Sequence, residues 1–215
     1  MTAGFPSKSL KDQNRRQLWL TIAVNALAFY AISQSNALEV SGLKGLLTRA
    51  TNLLPVGLAL VITSIANGLL SADMKARLVF LRWKRALPGH RAFSRYALSD
   101  PRIDIDRVKK AFGGTMPADP EGENRAWYRL YRQVETDSAV QHVHREFLFA
   151  RDYTGLAALF FIAFGVASNF VVRSWVVSLV YCLLLLLQFV VVRHAAATYG
   201  IRFVCTVIAR GIASK

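Results

Sequence analysis

Four stretches of the chain carry apolar residues on every helical face and almost no charge: Leu18 to Ser33, Asn52 to Ala72, Tyr153 to Val172 and Ser174 to Val192. A bilayer core of ~30 Å needs about 20 helical residues at 1.5 Å each, and three of the four meet that length. The first completes it with its flanks, Gln17 and Gln34. A core helix of a soluble protein keeps a polar stripe at 3.6-residue spacing, and Val176 to Val192 has none. No small-residue cleavage site follows the first stretch, so it reads as a retained span rather than a signal peptide. The predicted fold class is all-α: four transmembrane helices with a small helical insert between spans two and three.

The pattern changes between Asp73 and Asp152. MKARLVFLRWKRAL predicts a helix continuing out of span two, with Leu78, Leu81 and Trp83 among Arg77, Arg82, Lys84 and Arg85. Basic groups in that juxtamembrane position suit anionic headgroups, a reading that outweighs nucleic-acid binding. Leu87-Pro88-Gly89-His90 signals a turn. Asp100 before Pro101 predicts a cap for a helix running to Phe112, ended by Gly113-Gly114, with Ile103, Val108 and Phe112 inward. From Glu123, Trp127, Leu130, Tyr131 and Val134 share one helical face. After a break at Thr136-Asp137-Ser138, Val140, Val143, Phe147 and Ala150 form the stripe of a helix running into span three.

Charge then supplies orientation. The chain has 27 basic and 13 acidic residues, a net charge of +14 and a mean hydropathy of +0.31. The N-terminus, insert and tail together hold twenty-four of the Lys and Arg residues; the two other connections hold Lys44, Arg49 and Arg173. Basic loops stay cytoplasmic, which predicts that both termini and the insert face the cytoplasm. The organisation is a cytoplasmic N-terminus (1–17), a first hairpin (18–72), the insert (73–152), a second hairpin (153–192) closed by a tight turn at Arg173, and a basic tail (193–215). In the tail, Ile201, Val204, Cys205 and Ile208 share a face that suits an interface or a dock for the insert. Residues Leu43, Leu46, Leu47 and Ala50 predict a short interfacial helix before span two. Cys182 and Cys205 have no thiol or ligand companion nearby and read as small buried hydrophobes.

Candidate chemistry is sparse. No HExxH, GxSxG, phosphate-binding loop or dinucleotide fingerprint is present, so no catalytic residue, metal or cofactor is assigned. His142 and His144 lie about 200° apart on a helix and cannot share an ion, whereas His142 and Glu146 can pair at i,i+4. Arg91, Arg95, Arg102, Arg125 and Arg129, with Tyr128, suggest a ligand site, because guanidinium groups grip phosphate and rings stack on bases. Within the spans, Asn25, Asn67 and Gln188 are expected to contact each other or a neighbouring copy.

The runs LPGHRAFSRYALSDPRID, ENRAWYRLYR and HREFLFARDY resemble small bacterial inner-membrane proteins with four spans and a cytoplasmic helical insert. The architecture is also similar to transmembrane effectors of antiphage systems. The resemblance implies a non-enzymatic effector or signalling component. Its insert receives a nucleotide or protein, and its bundle oligomerises or perturbs the membrane. A membrane-bound enzyme or subunit acting on phosphorylated lipids, through residues such as Asp100, Asp104 and His142, is the alternative, with a scaffold for a soluble partner as a third. The expected partners are therefore the lipid bilayer, further copies of the chain, and a cytoplasmic nucleotide or protein rather than nucleic acid.

Overall fold

The computed structural model describes residues 10–34, 54–117 and 119–213. The interfacial helix expected around Leu43 to Ala50 lies outside the described residues, as do the first two residues of the expected second span. Among the described residues the fold is entirely helical: α1 (Leu10–Ser33), α2 (Leu54–Leu69), α3 (Ala72–Phe80), a helical run made of a 3-10 turn (Pro88–Arg91), a π turn (Ala92–Tyr96) and Ala97–Ser99, then α4 (Ile105–Ala111), α5 (Pro120–Val134), α6 (Ser138–Val171) and α7 (Trp175–Ala213). Two of these, α6 and α7, are long and apolar enough to cross a membrane. The 16 described residues of α2 cover ~24 Å.

The chain divides into two compact units. The bundle unit takes residues 15–75 and 152–193. Its core is Ile22 and Phe29 of α1, Leu156, Phe160 and Phe164 of α6, and Tyr181 and Leu185 of α7. The rings of Phe29 and Phe164 stack with centroids 4.8 Å apart. At the α6–α7 turn, Ser168 and Ser178 share a 2.8 Å hydrogen bond, and Ser178 donates to Asn169 Oδ1. These small polar groups satisfy one another where the helices approach closely. Val172 to Ser174 make the connection, so the tight turn at Arg173 is as expected.

The cap unit takes residues 1–14, 76–151 and 194–215. Its core joins Phe93 and Tyr96, Ile103 and Val108, Trp127 and Leu130, Val140 and Phe147, and Phe203 to Ile208. The tail is therefore the dock: α7 runs unbroken through it, and Val204, Cys205 and Ile208 are buried. Trp127 Nε1 donates to the Val204 carbonyl at 3.4 Å. Gly200 lets the backbone pass Phe80 and Phe147, where an added Cβ would lie 2.9 Å from each ring.

Two local expectations are corrected. The helix expected from span two through Arg85 is broken twice. It stops at Leu69, restarts where Ser71 Oγ accepts the Met74 N–H (3.1 Å), and ends at Phe80, where Leu81 turns left-handed (φ 49°). The cap of the next helix is Asp104, not Asp100. Asp104 Oδ1 accepts the N–H groups of Asp106 and Arg107, while Asp100 is drawn into a turn by Arg102. The helix shortens to Ile105–Ala111, and Gly113 and Gly114 end it with φ of 74° and 93°, the left-handed geometry glycine tolerates best.

Candidate functional site

The cap unit presents one concavity on α5, about 420 Å³, lined by Asn124, Arg125, Tyr128 and Arg129. Its position follows from how α5 is built. Asp119 caps the helix by accepting the Gly122 N–H at 2.8 Å, and Pro120 pre-sets the first turn. Ala126, Trp127, Leu130 and Val134 then face the core, which turns Arg125, Tyr128 and Arg129 outward. Glu123 locks the helix against the preceding segment. Its buried carboxylate (2% exposed) accepts the N–H groups of Phe93 and Ser94 at 2.8 and 3.0 Å. These donors start the π turn and would otherwise lack a partner.

Arg125 and Arg129 stand one helical turn apart with like charge, a mildly repulsive spacing. No carboxylate pairs with either among the described residues, whereas Arg132 on the same helix holds Glu135 at 2.8 Å. An anion placed between the two would relieve that repulsion, and guanidinium forks suit phosphate oxygens. Tyr128, half exposed, supplies a ring beside them; Tyr131 lies 6.0 Å behind it and stacks on Trp127. The concavity thus joins two unpaired cations to an aromatic face.

Of the six residues expected to bind a ligand, three line this concavity. Arg95 is exposed and Arg91 half-buried on the helical run Pro88–Ser99, and neither lines it. Arg102 is committed elsewhere: its guanidinium meets Asp100 at 2.6 Å. That contact holds the Asp100 carboxyl at about 2 and raises Arg102. Behind them the buried Cys205 thiol donates to the Tyr96 carbonyl, and burial, with the Asp100 charge, pushes it up to about 12. A thiol so held stays protonated and unreactive.

A second hollow, about 230 Å³, lies between Leu10, Gln13, Ser138, Gln141, His142 and Arg145. Asn14 donates to the Arg145 carbonyl at 2.8 Å, and His142 meets Glu146 at 3.5 Å, as its spacing predicts. His144 points the other way, stacked on Phe203 (4.4 Å) and sharing a 3.2 Å hydrogen bond with Tyr131.

The three amides expected to meet one another share no hydrogen bond, and the Asn67 Oδ1 is buried without a hydrogen-bond partner among the described residues. Asn25 donates to the Thr21 carbonyl, Gln188 donates to the Tyr153 hydroxyl at 2.8 Å, and Asn67 lies against Gly155. Two functional candidates escaped the sequence reading. Asn124 completes the concavity but carries no charge to mark it. Glu123 reads from sequence only as a helix-start acid. Compared with known families, curated proteins and solved structures, the chain gives no match.

Proposed function

We propose that the protein is a non-enzymatic, four-span component of a bacterial inner membrane, with both termini cytoplasmic, whose cap unit binds a phosphate-bearing ligand or protein and whose bundle responds. The observation that carries the membrane part is where the apolar surface lies. Among the described residues, every large exposed hydrophobic except Leu81, Trp83, Leu98 and Tyr128 belongs to the bundle unit. Only 17% of the most apolar window of α7 is buried within the chain, where a soluble core helix would be mostly covered. Lipid is the solvent that such a surface suits.

The ligand part rests on the Arg125–Tyr128–Arg129 concavity. Both α6 and α7 contribute residues to the cap unit and to the bundle unit, so a bound ligand has two continuous helices through which to act. It shifts the bundle only by as much as it binds one bundle state better than another. The reading is tested with full-length protein in liposomes loaded with a self-quenching dye. Nucleotides are added in turn to wild type and to Arg125→Gln/Arg129→Gln. Leakage or cross-linked oligomers that depend on ligand and on both arginines are the expected result. Silence toward every nucleotide and partner sinks the effector reading. A reporter on Lys215 that is active outside the membrane sinks the topology.

A further inference from the structure

Leu81 and Arg85 are the two non-glycine positive-φ residues among those described (49° and 54°), and they bracket one five-residue turn. Left-handed backbone is unfavourable for an ordinary side chain, because Cβ crowds the carbonyl oxygen. Leucine has no short polar group to offset it, and strain of this kind collects at functional segments. The turn displays its apolar side chains: Leu81 is 63% exposed and Trp83 84%. Elsewhere in the cap unit the described residues leave only Leu98 and Tyr128 comparably open.

Basic residues adjoin the two in sequence. Lys84 is exposed, Arg77 lies on the preceding helix, and the Arg82 guanidinium sits over the Phe80 ring at 6.0 Å. Asp73 is the one acid of α3. The charge of Arg85 is taken by Glu121 at 2.7 Å, which ties the end of the turn to the first turn of α5. The turn is thus held at one end, with an indole and a leucine left open beside surplus positive charge.

We propose that the Leu81–Arg85 turn is an interfacial anchor that seats Trp83 and Leu81 in the headgroup layer of an anionic bilayer. An amphipathic ring belongs at that depth, and each cation near the surface strengthens seating on anionic lipid. The anchor rests on the membrane reading but not on the ligand or effector reading.

Full-length protein is reconstituted into lipid nanodiscs of phosphatidylcholine, with or without phosphatidylglycerol. The Trp83 component of emission is the difference between wild type and Trp83→Phe. Quenching by lipids brominated near the headgroup is the expected result in anionic discs. Seating weakens ~5-fold in Lys84→Gln, less in Arg82→Gln, whose guanidinium lies over the Phe80 ring, and by more than in either variant when phosphatidylglycerol is left out. These variants keep Trp83, so the quenching of their total emission against that of wild type reports even where Trp83→Phe is compromised. Emission open to iodide and untouched by brominated lipid overturns the anchor, as does equal quenching in neutral discs. Protection that arrives only with added RNA assigns the turn to nucleic acid instead. Protein that never enters the discs overturns the membrane reading and the anchor together, whereas inserted protein with a water-exposed Trp83 overturns the anchor alone.

Discussion

Lys75 Nζ and Asp152 Oδ1 meet at 3.1 Å with their side chains 6% and 4% exposed, a charged pair shut inside the bundle unit. The residues are 77 positions apart, one at the start of α3 and one in α6. Beside them an added Cβ on Gly155 would meet Asn67 Oδ1 at 2.9 Å and Lys75 Cε at 3.6 Å. Two charges out of water are tolerable only together, so deleting one is worse than deleting both. Lys75→Met is expected to lower unfolding stability by about 3–5 kcal/mol, because it removes the opposite charge 3.1 Å from the buried Asp152 carboxylate. Lys75→Met/Asp152→Leu is expected to recover most of the loss. Denaturant unfolding in detergent, run as a double-mutant cycle, checks both. A single variant within ~0.5 kcal/mol of wild type, the range of an ordinary surface substitution, means the pair is not a constraint.

That pair marks the boundary of what the sequence displays. Apolar stripes are local, and the residues assigned inward on the insert helices, from Ile103 to Ala150, are buried or packed against the buried core. So are Val204, Cys205 and Ile208 of the tail. Partner choice is not local. Neither Lys75 nor Asp152 carries a neighbour in sequence that announces the other, and Glu123 finds its donors thirty residues back. The α2–α3 break did carry a sign, Ser71 followed by Asp73, which is a cap and an acidic first turn. The apolar run around it hid that sign. The end of α3 at Leu81 has no glycine or proline to mark it.

Glu123 gives the sharpest test of how the concavity is held. Its carboxylate satisfies two backbone donors in the core of the cap unit. Glu123→Ala leaves the Phe93 N–H buried and unpaired, with that of Ser94 beside it. Charge-assisted bonds of this kind carry about 1.5–3 kcal/mol, so a loss of roughly 3 kcal/mol is expected. Hydrogen exchange should localise it, with Phe93 and Ser94 amides losing protection before those of Trp127 or Leu130. Unchanged protection at Phe93 would show that the helical run Pro88–Ser99 is held by packing alone.

His144 should make the cap unit sensitive to mild acid. Burial and, secondarily, Arg151 lower it from 6.5 to about 4, while Tyr131 and the Phe203 ring occupy its other sides. Above pH 6.5 both folded and unfolded chains carry a neutral ring, and nothing is gained or lost. As pH falls from 6.5 toward 4 the unfolded chain takes a proton that the fold refuses, so stability declines through that window and levels off below it. One proton per molecule amounts to about 1.4 kcal/mol per pH unit at most, and less here because the ring is partly exposed. His144→Phe keeps the stack on Phe203 and removes the proton. Melting curves between pH 7.5 and 4.5 should fall less steeply for this variant. Parallel curves would assign the acid sensitivity elsewhere.

One substitution made at two glycines should give opposite signs. In a helix, Gly→Ala gains up to about 1 kcal/mol when the new methyl meets nothing. Gly68, near the end of α2, has no heavy atom within 4 Å of an added Cβ and a φ in the ordinary range, so Gly68→Ala should be neutral to stabilising. Gly200, in the cap-unit part of α7, faces Phe80 and Phe147 at 2.9 Å. Phe147 cannot swing aside freely, being 6% exposed and stacked near Phe203. Overpacking of that order costs about 1–3 kcal/mol and outweighs the helix gain. Gly200→Ala should therefore unfold earlier than wild type, and Gly200→Ala/Phe80→Leu, which removes one of the two rings, should recover part of the difference. If Gly200→Ala melts with or above wild type, α7 does not pass the Phe80–Phe147 pair as closely as 2.9 Å implies, and the tail packs less tightly into the cap core than its burial indicates.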